Sequence, residues 1–368
     1  MLRLSLIATL SALLSGLCSE STVTLVHVEI DLDSPGRYSR PRLTIHASIM
    51  NKLTRRQFID KTARVSCGAV AASLLHSRAE ASPKRKMTLC LSCGSIGVSA
   101  NQVQAIELAH RYGFESVEAN TDYLAGLSDS QTTDLLADMK AKGIVFGAAG
   151  LPVEFRQDDV KFSDSMKRLP KQAAGLQRAG VTRCGTWLMP CDNSRTYLEN
   201  FKLHAKRLRE AAAVLKEHGV RLGLEYVGTK TSRERARYPF IHAMAEMKEL
   251  IAEIGTGNVG FVLDSWHWWQ ADDTAADVAS LKNEDVISVD LNDAPAGVAK
   301  EKQLDGRREL PAATGVIDVG AFLNALNQLG YDGPVRAEPF NKTVNDMNND
   351  EACSVTIAAL KKAFSLIK

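Results

Sequence analysis

Four apolar runs late in the chain each finish on a carboxylate: RLGLE on Glu225, VGFVLD on Asp264, VISVD on Asp290 and VRAE on Glu338. One such acid is ordinary helix-cap or loop chemistry. Four of them gathered at one mouth would repel each other unless a cation sat among them, because burying unpaired charge is costly. Carboxylate oxygens with no thiolate and at most one imidazole favour a hard or borderline divalent ion, Mn2+ or Mg2+ first, with Co2+ or Zn2+ as alternatives. The imidazole is His267, three residues beyond Asp264 in FVLDSWHWWQ. There it either completes the coordination of the ion or hydrogen-bonds a substrate. The same stretch holds Trp266, Trp268 and Trp269, three of the four tryptophans of the chain. An indole suits the C–H face of a sugar ring while leaving the hydroxyls to polar partners, so Trp266 and Trp268 are expected to line a pocket, with at least one of the three plugging the top of the fold. Trp187, which closes the run VTRCGTW, is placed with them as a substrate contact. Lys230, in GTKT, is either a solvated lysine or a contact for an acidic or phosphorylated substrate.

Side chains this far apart in sequence need a scaffold that gathers strand ends. Eight short apolar runs supply one: TLCLS, FESVEA, GIVFGAAG, VTRCGTW, RLGLEYVG, NVGFVLD, VISVDLND and PVRAEPF. Between them lie longer segments, such as NQVQAIELAHRYG and AKRLREAAAVLKEHG, with apolar residues at steps of three and four and a closing glycine, as amphipathic helices have. Eight strand–helix pairs over residues 82–368 predict a (β/α)8 TIM barrel, whose usual length is roughly 250 residues. A doubly wound sheet is the rival, but the first strand–helix turn, SCGSIGVSA, lacks the glycine spacing of a dinucleotide site. In a barrel the active site forms at the C-terminal ends of the strands, where the four carboxylates fall.

The segment before the barrel reads differently. TRRQFIDK, Thr54 to Lys61, matches the twin-arginine export pattern and is followed by the weakly apolar VSCGAVAASLL and a small-residue cleavage site at Ala79-Glu80-Ala81. Residues 50–81 are therefore expected to be a signal peptide that delivers the protein to a bacterial periplasm. A second signal-like segment, LRLSLIATLSALLSGLCS, precedes it, and two consecutive signals make little physical sense. Residues 1–49 are accordingly expected to be a spurious or disordered extension, with Met50 as the start. Cleavage after Ala81 would leave 35 basic against 37 acidic side chains. That balance argues against nucleic acid as a partner, and no apolar run there is long enough to anchor the mature chain in a membrane. Five cysteines remain, an odd and scattered set that argues against a disulfide framework; Cys90-Leu-Ser-Cys93 has redox spacing but reads as buried structural thiols.

The motifs LGLEYVG, VLDSWHWW, VISVDLNDAPAG, RRELPAATGVID and VRAEPF resemble those of the xylose isomerase-like barrel superfamily, the sugar phosphate isomerase/epimerase group. The resemblance spans nearly all of residues 87–366. It implies that Glu225, Asp264, Asp290 and Glu338 hold a divalent metal, with Asp290 standing where histidine is usual. It also implies that His267 and Arg308 contact substrate oxygens, and it puts Thr231 where the epimerases commonly carry another glutamate. The implied activity is isomerisation or epimerisation of a ketose, aldose or related polyol. A metal chelated by the carbonyl and adjacent hydroxyl would stabilise the enediolate. Glu225 and Glu338 would flank the carbon, one removing a proton and the other returning it. The alternatives are an inosose dehydratase-type lyase in the same fold and a noncatalytic sugar-binding barrel. The partner is a small sugar or polyol, and a homo-oligomer is compatible with everything above.

Overall fold

The computed structural model describes residues 85–368, together with the backbone of three strands at Leu2–Ala8, Thr22–Leu32 and Leu43–Thr54. Those three strands pair antiparallel in chain order and belong to a unit of their own, Met1–Pro83. The third strand runs through Met50, and the arginine pair and cleavage site of the expected signal lie outside the described residues.

Residues 84–368 form the second unit, a closed barrel of eight parallel strands. The strands are β1 (Thr88–Leu91), β2 (Ser116–Ala119), β3 (Val145–Gly150), β4 (Arg183–Trp187), β5 (Arg221–Glu225), β6 (Val259–Asp264), β7 (Val286–Leu291) and β8 (Pro334–Ala337). Each pairs with its sequence neighbours, and β8 closes on β1. All eight coincide with the apolar runs expected to be strands. The principal outer helices are α1 (Gln102–Tyr112), α2 (Asp129–Lys142), α3 (Asp159–Arg178), α4 (Tyr197–Glu217), α5 (Met244–Ile254), α6 (Ala275–Ala279), α7 (Val319–Gln328) and α8 (Asn349–Phe364). Sequence sets their ends. In α1, Asn101 accepts from the Gln104 amide and Gln104 answers at the Asn101 amide, while Gly113 closes the helix at φ +78°. Among the described residues no helix is long and apolar enough to cross a membrane.

Register is what brings the acids together. Asp264 on β6 lies opposite Asp290 on β7, Asp290 lies opposite Arg336 on β8, and Arg336 lies opposite Cys90 on β1. These residues form one row near the C-terminal ends of the strands. Glu338 follows Arg336 by two residues and extends that row by one step upward. On the other side, Glu225 ends β5 opposite Trp187 of β4. Beneath the row the interior is filled by apolar packing, with Val262 and Ile287 occupying the space that a side chain at Gly223 would need.

Two loops at this end lie backbone to backbone. A Cβ added at Gly228, just after β5, would sit 2.5 Å from the carbonyl oxygen of His267 and 3.0 Å from the amide nitrogen of Ala271. Backbone cannot yield as a side chain can, so Gly228→Ala must displace the short helix Ser265–Gln270 that carries His267. The expected outcome is a loss of about 1–3 kcal/mol in denaturant unfolding. An unchanged unfolding midpoint would show that the two loops do not meet this closely.

Candidate active site

The four strand-end carboxylates converge on a cavity of about 610 Å3 at the C-terminal mouth of the barrel. Glu225 and Glu338 line it, whereas Asp264 and Asp290, 1% and 0% exposed, are buried at the neighbouring strand ends and do not line it. Carboxylate oxygens of Glu225, Asp290 and Glu338 approach within 4.8 Å of one another, and Glu225, Asp264 and His267 form a second such group. Glu225 belongs to both, and its Oε1 is buried with no hydrogen-bond partner.

Two guanidinium groups stand among these acids. Arg308 Nη1 donates to Asp264 Oδ2 at 2.6 Å and reaches Glu338 Oε2 at 3.4 Å, while its Nη2 donates to Asp305 Oδ1 at 2.8 Å. Arg336 grips Asp290 with both arms of its fork, Nε to Oδ1 and Nη2 to Oδ2, and lies 3.5 Å from both Glu118 and Glu338. Burial opposes both charges, yet the surrounding carboxylates raise both arginines above their ordinary pKa. The acids are pushed upward. Burial, then the charges of Glu338, Asp264 and Asp290, hold Glu225 well above the usual carboxylate range. Burial and the Asp290 charge bring Glu338 to about 8. Burial also raises Asp290, against the pull of Arg336.

His267 is 2% exposed, and burial lowers its pKa, so the ring is neutral near pH 7. Its Nε2 lies 3.2 Å from Arg308 Nη2, which can only donate, and this puts the ring hydrogen on Nδ1. A divalent cation fits the donor set: carboxylates and one imidazole, no thiolate, and an orphaned Glu225 oxygen shared by both clusters. Cys90 lines the same cavity, but burial pushes its thiol up to about 12, where it carries no negative charge.

With this geometry in hand, the chain can be set beside known proteins. The profile of the xylose isomerase-like TIM barrel family matches residues 106–363. The chain belongs to that family. It is 24% identical over 291 residues to an inosose isomerase of Bacillus velezensis, covering 76% of this chain and 99% of that one. A xylose isomerase domain protein from Alicyclobacillus acidocaldarius superposes with a TM-score of 0.67 at 30% identity, covering 76% of this chain and 99% of that chain. The IolI protein, whose structure holds a zinc atom, superposes with a TM-score of 0.63 at 20% identity over 76% of this chain and 98% of its own.

Within the family barrel, the tryptophans divide differently from expectation. Trp187 lines the cavity and is 41% exposed. Trp266 and Trp268 do not line it. The short helix after β6 turns both away: Trp266 is wholly buried and donates through Nε1 to Thr229 Oγ1 at 2.8 Å, and Trp268 packs on Phe322 of α7. Trp266 still serves the site, because Arg308 lies over its ring at 5.4 Å and over Phe340 at 4.7 Å. Trp269 packs edge-on against Trp266. Lys230 stays outside the cavity beside Glu234, and Thr231 bonds the Gln303 carbonyl.

Several residues of the site escaped the sequence reading. Arg336 and Glu118 sit within motifs already read as strands, and alternation in VRAE and SVEA gave the only available signal that they face inward. Asn292 ties three strand ends, donating to Asp264 Oδ1 at 3.0 Å and accepting from the Glu338 amide at 2.9 Å. Asp293 shapes the loop beyond Arg308. Its two oxygens accept from the amides of Ala294, Thr314, Gly315 and Ile317 at 2.7–3.0 Å, and the residue is fully buried. Replacing it strands four amides, so Asp293→Ala is expected to cost about 3–5 kcal/mol in chemical unfolding. Stability within about 0.5 kcal/mol of the parent would mean that the loop holds itself without this carboxylate.

Proposed function

We propose that the protein is a divalent-metal-dependent isomerase or epimerase of a ketose, aldose or related polyol, working by proton transfer at a carbon beside a carbonyl. The observation that carries this reading is the pairing of Glu225 and Glu338 on one cavity, with their oxygens and one of Asp290 within 4.8 Å of one another and Glu225 Oε1 buried without a hydrogen-bond partner. The inosose isomerase relative and the zinc-bearing structural neighbour support the same reading.

Glu225 would hold the metal together with Asp290 and Glu338, or with Asp264 and His267; Arg336 engages both Asp290 oxygens and Arg308 and Asn292 engage those of Asp264, so either set binds only where one of these hydrogen bonds yields. Once bound, the ion, Mn2+ or Mg2+ in this reading, supplies Lewis-acid polarisation of the carbonyl. The chain does the rest. One glutamate takes the proton from carbon, and for epimerisation the other returns one to the opposite face. Arg308, fixed by Asp264 and Asp305 and flanked by Trp266 and Phe340, presents positive charge where the oxyanion develops. The neutral His267 beside it lines the cavity and holds a buried Nδ1–H that has no protein partner. Trp187 supplies an apolar wall at the mouth.

Solvent-deuterium incorporation into a panel of ketoses, aldoses and inososes, with metal supplied, tests the reaction. Glu225→Gln and Glu338→Gln are each expected to lower exchange by about 10²–10⁴-fold, with metal content measured separately to divide ligand loss from base loss. Near-parent exchange in both variants would rule out the two-glutamate scheme. Loss of water from an inosose in place of exchange would instead point to the dehydratase type.

Export is a separate proposal, resting on TRRQFIDK at Thr54–Lys61. The twin-arginine route carries folded proteins, so the metal site could fill before translocation to the periplasm. Replacing Arg55 and Arg56 together by lysine should hold the precursor inside the cell; undiminished export would mean that another signal operates.

A further inference from the structure

The cavity is sorted by charge. Toward the strand ends it is lined by Glu118, Glu225, Asp305 and Glu338 together with Arg308 and Arg336, whose guanidinium groups are engaged with Asp264, Asp305, Asp290 and Glu118. Two further arginines, Arg156 and Arg235, line the same cavity. Arg156 follows β3 and is clamped between Phe155 and Trp187, with its guanidinium carbon 4.5 and 4.4 Å from the two ring centres. Its Nη1 donates to Thr186 Oγ1 at 3.0 Å and to the Trp187 carbonyl. Arg235 Nη2 donates to Ser232 Oγ at 3.1 Å. All three acceptors are neutral, and among the described residues neither arginine is in an ion pair. Burial works against the Arg156 charge, and the exposed Glu154 is the nearby acid that opposes it.

A cation held in place by two aromatic faces and two neutral acceptors, with its remaining N–H groups unclaimed, is prepared for an anion from outside the chain. The inner carboxylates repel such a group from the floor. A ligand that satisfies both ends therefore carries hydroxyls and a carbonyl inward and a negative charge outward. We propose that Arg156 and Arg235 bind the anionic terminus, a carboxylate or a phosphate, of the sugar whose other end meets the inner glutamates. This rests on the isomerase reading and narrows it from sugars in general to acidic ones. Trp187 lines the same cavity, stacks on Arg156 and has its backbone opposite Glu225, so its indole is the apolar wall that the sugar would pass. The role given to Lys230 from sequence thus passes to two arginines.

Calorimetric titration of the metal-supplied protein with D-fructose, fructose 6-phosphate and D-fructuronate tests the proposal, with deuterium exchange scored in the same mixtures. At least one of the two acids is expected to bind about tenfold or more tightly than fructose, and which one does so names the anion. Added salt should narrow the preference. Arg156→Gln and Arg235→Gln should each shrink the ratio of acid to neutral affinity, and Arg156→Lys should keep part of it. Arg235 is exposed, so its variant does not depend on refolding the cavity wall. Equal affinity for all three sugars, no binding by either acid, or a preference that survives in the double glutamine variant would overturn the proposal. Tight acid binding without exchange on any sugar would sink the isomerase reading and leave the anion subsite standing; exchange on fructose with no preference for acids would do the reverse.

Discussion

Four carboxylates crowd the strand ends at one barrel mouth, three of them buried, and that crowding governs the design of the site. Two like charges 4 Å apart cost about 4 kcal/mol at an effective dielectric constant of about 20. The chain answers with two guanidinium groups placed on different kinds of support. Arg336 projects from β8 and meets Asp290 across a strand pair. Arg308 projects from a loop and is held between Trp266 and Phe340. Burial first, and then the neighbouring carboxylate charges that the guanidinium groups do not cancel, raise the pKa values of Glu225 and Glu338. A group kept close to its neutral form is ready to exchange a proton, so the crowding that makes the site costly also makes it reactive.

The supports around these charges consist mostly of backbone contacts. Asn292 fixes Asp264 and the Glu338 amide together, Ser265 and Asn292 exchange hydrogen bonds at 2.8 and 3.0 Å, and the loop beyond Arg308 folds around Asp293. The Arg308 amide donates to the Pro339 carbonyl at 3.1 Å, and Phe340 adopts φ +41°, an uncommon backbone conformation for a residue with a side chain. That turn places the Phe340 ring against the Arg308 guanidinium. The loop that carries Arg308 is thereby tied to the end of β8.

Strands were legible because each is a short apolar run between glycine-closed helical segments, and all eight were read correctly. The carboxylates were legible because each ends such a run, and in a barrel the ends converge by topology alone. What sequence could not convey was direction and partnership. Trp266 and Trp268 sit two and four residues from Asp264, yet a single helical turn aims one toward Thr229 and the other toward α7. Arg336 lies in a motif already recognised, but its pairing with Asp290 depends on the register between β7 and β8 across 46 residues of chain. Arg156 follows β3 and Arg235 follows β5, and the two share a cavity only once the barrel has closed.

The pairing of Asp290 with Arg336 also constrains how this barrel can diverge. Placing an imidazole at residue 290 alone would leave the Arg336 guanidinium facing Glu118 and Glu338 without its bidentate partner, and removing Arg336 alone would leave a fully buried carboxylate unpaired. Either single step breaks a buried ion pair, a loss of about 3–5 kcal/mol. That is a large share of the stability of an ordinary domain. The two positions therefore form one unit: residue 290 or residue 336 changes without this loss only through paired substitution or through stability gained beforehand elsewhere in the barrel.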